Sequence, residues 1–184
     1  MKHKLRSYPL FSVCGLNCGL CPRYYTNGPS RCPGCGGEGF ADVHCGCGTL
    51  SCCQRKELEY CFECEYFPCT KYEGADLTDS FITHKDKLRD MERAKKIGID
   101  AYKSELDQKV KMLKTLLRDF DDGRRKSYFC TAVNLLDLED VVNIMTRLTA
   151  STDSSASKKE KAIIAAGLFN EIAEKKDISF KLRK

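Results

Sequence analysis

Tryptophan is absent from this 184-residue sequence, histidine occurs three times and proline five times. No uncharged apolar run approaches the ~20 residues that a membrane-spanning helix needs, which excludes a helical membrane protein. A net charge of +5 and a hydrophobic share of 42% exclude wholesale disorder. No Walker motif, dinucleotide fingerprint or nucleophile elbow is present, so the common nucleotide-binding and hydrolase sites have no anchor here. Lys2, Lys4 and Arg6 could open an export signal, but Pro9 and Ser12 break up the next stretch and no small-residue cleavage site appears. A cytoplasmic protein is expected.

What the chain does have is cysteine. Thirteen occur, twelve of them between Cys14 and Cys69, with Cys130 alone outside. Cys18/Cys21, Cys32/Cys35 and Cys61/Cys64 are pairs with a two-residue gap. Such a gap lets a tight turn aim two thiolates at one ion, with backbone N–H groups directed at the sulfurs. Cys14, Cys45, Cys47, Cys52, Cys53 and Cys69 complete the set. Twelve ligands suffice for three four-cysteine sites, and two to three zinc ions are expected. A disulfide framework is disfavoured because cytosolic thiols stay reduced. An iron–sulfur cluster is the alternative cofactor, since tetrahedral thiolate sites accept either metal. Cys14-x3-Cys18-x2-Cys21 even has the spacing of radical S-adenosylmethionine enzymes. The repeated strand–helix units of that superfamily are missing downstream, however. Cys21-Pro22 ends a run whose gaps are reversed relative to a ferredoxin.

Charge divides the chain. Residues 1–79 carry 8 basic and 9 acidic side chains, and residues 80–184 carry 23 and 17. The fold expected is mainly α: a cysteine-rich metal-binding lobe over 1–78, made of loops and short helices, packed on a helical domain over 79–184 with four or five helices. Apolar periodicity predicts helices over 79–96, from about 100 to 120, over 138–148 and over 158–175. Their inward residues are read as Phe81, Leu88, Met91 and Ala94; Tyr102, Leu106, Val110, Leu113, Leu117 and Phe120; Leu138, Val141, Val142, Met145 and Leu148; and Ile163, Ala166, Phe169 and Ile172 or Ala173. Asp137 is the expected N-cap of the third. Ser127–Leu136 fits a helix better than a buried strand. Ile178–Leu182 alternates as a lone strand would, and Ser151–Ser157 reads as a flexible loop.

Several local sequences coincide with one family. They are Cys14-Gly15-Leu16-x-Cys18-x-x-Cys21-Pro22, Cys32-x-Gly34-Cys35 and Cys61-x-x-Cys64-x-x-Phe67-Pro68-Cys69. Asp122-Gly123-Arg124 and Asn134-Leu135-Leu136-x-Leu138-Glu139-Asp140 lie downstream. Together these resemble the DUF3795 family, cysteine-rich bacterial and archaeal proteins of unknown function. The resemblance implies cysteine-bound zinc and implies no activity.

Other residues carry less. His44, beside Cys45, could stand in for a cysteine, but a solvated loop histidine is the plainer reading. His3 reads as a terminal residue and His84 as a surface one near a helix start. Cys130 reads as a small core hydrophobe. Arg124-Arg125-Lys126 reads as a solvated turn. Sites closed by four thiolates are structural rather than catalytic. A structural zinc protein acting as an interaction or regulatory module is therefore expected, with a protein partner and no catalytic residue. Nucleic acid is not expected as a partner. Three dications among twelve thiolates would leave the cysteine lobe at about −7, which repels phosphate.

Overall fold

A computed structural model describes residues 5–44, 46–153 and 155–184. The protein is mainly α, with short N-terminal elements followed by a helical bundle, and no strand occurs among the described residues. The helices are α1 (Phe40–Val43), α2 (Gly48–Arg55), α3 (Lys87–Ile97), α4 (Ile99–Asp119), α5 (Lys126–Leu135), α6 (Leu138–Ser151) and α7 (Lys158–Lys175). Single 3-10 turns at Cys18–Leu20, Pro22–Tyr25, Cys61–Glu63 and Thr70–Tyr72 punctuate the cysteine-rich stretch.

The chain forms two compact units, divided inside α4. One runs to Leu106 and includes Leu182–Lys184; the other is Asp107–Lys181. This division differs from the change in composition at 78/79, and the buried residues show why. Phe11, Val13, Leu20 and Tyr60 share the interior of the first unit with Met91, Ala94, Tyr102 and Leu106. The Phe11 ring lies 5.6 Å from Tyr60 and 4.6 Å from Tyr102. Buried polar groups join the same pieces. Asn17 donates to Asp90 at 2.8 Å and accepts from the Tyr102 hydroxyl at 3.0 Å. The apolar material that the cysteine stretch lacks thus comes from α3 and the start of α4.

Close backbone approaches need glycine at two points. A Cβ on Gly15 (φ +95) would stand 1.9 Å from the Lys87 carbonyl oxygen, and one on Gly34 (φ +90) 2.4 Å from that of Pro9. Neither contact could be relieved without moving backbone.

The second unit is built from helix faces. Val110, Leu113, Leu116 and Phe120 of α4 and its C-terminal edge, Phe129 and Val133 of α5, Val141, Ile144 and Leu148 of α6, and Ala162, Ala166, Phe169 and Ala173 of α7 are buried. α6 packs on α7. Both start with reciprocal caps: Asp140 accepts the Asp137 N–H at 3.3 Å and Glu160 accepts that of Ser157 at 2.8 Å.

Four expectations need correction. The first helix starts at Lys87 rather than Asp79, because the Asp79 carboxylate binds the His84 N–H at 2.7 Å and holds a turn. Phe81 is consequently exposed, with the Arg23 guanidinium 4.8 Å from its ring centre. Val142 and Ile163 are exposed while their preceding neighbours Val141 and Ala162 are buried, and Ile144 rather than Met145 is fully covered. One residue is 100° on a helix, enough to exchange a core position for a surface one. Leu116 rather than Leu117 completes the buried stripe of α4. Ile178–Leu182 has no strand partner among the described residues; Phe180 instead packs edge-on against Tyr128, with ring centres 5.7 Å apart. Ser127–Leu136 lies in helix and its C-cap, as its period predicts.

Candidate metal centre

The two-residue-gap cysteine pairs take a common shape in two of three cases. In Cys18–Cys21 the second N–H returns to the first carbonyl at 3.1 Å, and in Cys61–Cys64 at 3.0 Å. Each pair therefore encloses one 3-10 turn, which brings its two side chains to one side of the loop. Cys32–Cys35 is different. Its Pro33-Gly34 turn sends the Cys35 N–H to the Pro9 carbonyl at 2.9 Å, so this pair is anchored to a distant segment. Cys47 occupies the N-cap of α2, where its sulfur accepts the Leu50 N–H at 3.4 Å.

Two groups of thiols result. Cys14, Cys18, Cys21, Cys32, Cys35 and Cys47 form the first, linked pairwise by mutual repulsion of their charged forms. Burial pushes the thiols of Cys14, Cys18, Cys21 and Cys35 up, Cys35 to about 11. Backbone N–H groups act in the opposite sense: Leu16 on Cys14, Cys35 on Cys18, Arg23 and Tyr24 on Cys21, and Val13 on Cys35. Burial thus favours the neutral thiol at these four sulfurs, while the backbone donors favour a thiolate. A bound dication would tip that balance and release protons.

The second group is Cys52, Cys53, Cys61, Cys64 and Cys69. All five line one cavity of about 30 Å³, together with Lys56 and Lys71. Cys53 Sγ and Cys61 Sγ are 3.6 Å apart, and Lys56 Nζ donates to Cys64 Sγ at 3.3 Å. The hydrogen bond with Cys53 draws Cys61 below the ordinary thiol range; burial opposes this, and Tyr72, Lys71 and Lys87 add to it. The same bond pushes Cys53 up. Tyr72 also donates to the Cys14 carbonyl at 3.3 Å, so its hydroxyl stands between the two groups.

None of the twelve described cysteines is joined in a disulfide. Among the described residues no three Cys, His, Asp or Glu side chains are gathered tightly enough to form an ion site as they stand. Cys45 lies outside the described residues. His44 is exposed and stacks on Phe40, with ring centres 4.6 Å apart. Cys130 is buried in α5, away from both groups in sequence.

The loop order, the knuckle turns and the Phe67-Pro68-Cys69 exit together mark one kind of cysteine lobe. Residues 10–74 match the DUF3795 family, described as a protein of unknown function. The match spans both cysteine groups except for the neighbours that α3 and α4 supply. No curated protein and no solved structure matches the chain. No helix among the described residues is long and apolar enough to cross a membrane.

Sequence reasoning missed the cations and the tyrosine. Arg6 is buried, donating to the Phe11 carbonyl at 2.7 Å and to Glu59 at 3.0 Å, and its charge lowers the Cys35 thiol. By position alone it belongs to a basic leader. Lys56 stands three residues after Cys53, one helical turn on, which is the single local signal for its place. Tyr72 had no signal, since its partners are 11 and 58 residues away.

Proposed function

We propose that the DUF3795 lobe binds zinc through its cysteines as a structural site, and that the protein acts as an interaction or regulatory module with a protein partner. The observation that carries the reading is the cavity lined by Cys52, Cys53, Cys61, Cys64 and Cys69. Two sulfurs bound tetrahedrally at ~2.3 Å from one zinc ion stand about 3.8 Å apart. Cys53 and Cys61 are at 3.6 Å, close to that spacing and far from the ~2.05 Å of a disulfide. Cys52, Cys64 and Cys69 are the candidates for the remaining ligands. The first group, Cys14, Cys18, Cys21, Cys32, Cys35 and Cys47, supplies enough thiols for another ion. Zinc here would supply no reaction chemistry; it would convert neutral thiols to thiolates and cross-link loops that share few apolar contacts.

Elemental analysis and a visible spectrum of protein purified without oxygen test this. A colourless sample with two to three zinc ions per chain is expected. A brown sample with iron and acid-labile sulfide would replace the zinc reading with a cluster-bearing, redox one. Binding to DNA or RNA is expected to be no stronger than that of a neutral control at physiological salt. Micromolar binding with a steep salt slope would overturn that part.

A further inference from the structure

We infer that Cys53 and Cys61 form a redox pair, oxidised by a peroxide to a disulfide, and that closing this bond expels the ion held at their cavity. For the ion, the inference rests on the proposal that the lobe binds zinc; for the disulfide, it rests on the pair alone.

Three observations single out the pair. The two sulfurs are in hydrogen-bond contact at 3.6 Å, so an S–S bond requires an approach of only about 1.5 Å. Both residues are almost fully covered, Cys53 at 4% and Cys61 at 8% exposure, so neighbouring packing holds them together. Five thiols line the cavity, one more than a tetrahedral ion takes, so coordination alone does not account for the group. At about 30 Å³ the cavity has room for a molecule of the size of water or hydrogen peroxide, and its other cysteines, Cys52, Cys64 and Cys69, are half-exposed.

The chemistry balances. One sulfur attacks a peroxide oxygen; the O–O bond breaks, and the leaving hydroxide takes up a proton as water. The attacking sulfur is then a sulfenic acid. The second sulfur attacks it, the S–S bond forms, the S–O bond breaks, and the oxygen leaves as a second water. Two thiols lose two electrons and two protons in all, and the peroxide gains both; where the pair is held as thiolates by the ion, the two protons come from water. A disulfide carries no thiolate charge, so the cavity loses two of its anionic ligands.

The test uses the full chain, purified without oxygen and treated with one equivalent of hydrogen peroxide. Free thiols are alkylated in denaturant, the peptides are mapped by fragmentation that separates Cys52 from Cys53, and released zinc is read with a colorimetric chelator. The expected result is a Cys53–Cys61 cross-link, one zinc ion released per cross-link, and reversal of both by dithiothreitol with added zinc. A first cross-link between other cysteines, sulfinic acid without a cross-link, or a cross-link that leaves the zinc bound overturns the inference. A chain that contains no zinc yet links Cys53 to Cys61 sinks the zinc reading and keeps the redox pair. A zinc-loaded chain in which both thiols remain open to alkylation does the reverse. No variant is needed, so misfolding cannot mimic either outcome.

Discussion

In the first compact unit, backbone groups find partners far along the chain. Arg6 N–H reaches Gly36, Gly19 N–H reaches Leu10, Cys35 N–H reaches Pro9 and Cys61 N–H reaches Val13, all at 2.9–3.0 Å. In the second unit the backbone is satisfied almost entirely within helices, and side chains alone join one element to the next. The difference sets what each unit depends on. Helices that satisfy their own backbone need only an apolar face to dock. Loops that satisfy one another must all be in place at once, and few large side chains reward the arrangement. Cross-links from metal–thiolate bonds suit the first case and are unnecessary in the second.

The largest expected effect breaks the comparison open. A strong chelator under reducing conditions should unfold the first unit, since structural zinc contributes on the order of 10 kcal/mol per site. Most of the helical circular-dichroism signal should survive. Because α3 and the start of α4 share a core with the cysteine stretch, the protease-resistant fragment should begin within α4. A fragment beginning near Asp79 would mean that composition, and not shared burial, sets the border. Loss of all structure in one step would erase the distinction between the units.

A core truncation in the second unit is next. Phe169 is fully buried against Phe129, ring centres 5.9 Å apart. Phe169→Ala should cost roughly 3–5 kcal/mol in thermal or urea unfolding. Zinc content should not change; a parallel loss of metal would show that the units do not fold independently.

The buried polar node of the first unit is weaker but more specific. Asn17→Ala leaves the Asp90 carboxylate and the Tyr102 hydroxyl without that partner, and about 1–3 kcal/mol should be lost. The effect should be visible in hydrogen exchange of α3 before that of α6. Equal change in both helices would argue against the assignment of α3 to the cysteine unit.

The smallest effect concerns Asp79 and acid. Burial of this side chain, 1% exposed, would raise its pKa, but hydrogen bonds from Arg183 and the His84 N–H outweigh burial and hold it well below its ordinary value of 3.8. The ionised form therefore stabilises the fold. That contribution is complete above the ordinary carboxylate range and is lost as pH falls below it, through the depressed folded value. Arg183 is partly exposed, so roughly 1 kcal/mol is at stake. Asp79→Asn should flatten the acid limb of the stability profile by that amount. An unchanged acid limb would show that other carboxylates govern it.

Much of the helical unit was legible in the sequence. The bounds of α7 and the capped start of α6 follow from spacing and caps alone, because a helix is decided by neighbours within four residues. The errors there are of rotation: Val142, Ile163 and Leu117 each follow a buried residue by one position, and only the packing partner settles which of the neighbouring apolar residues turns in. The start of α3 escapes a linear reading for a different reason. Asp79 has the look of an ordinary residue at the front of a helix, and its partner Arg183 lies 104 residues away.

The cysteine lobe reverses the pattern. Its sequence by itself determined the chemistry available: soft sulfur donors in tight turns, too few large apolar residues for a core of their own, and the family to which residues 10–74 correspond. Those properties reside in residue identity and short spacing, which a linear reading captures. Tertiary structure alone decided which thiols share a space. It set Cys53 against Cys61, gathered five cysteines on one cavity, placed Lys56 on Cys64 and lent α3 and α4 to the lobe's interior. Such choices depend on how loops meet across distances that no local pattern encodes.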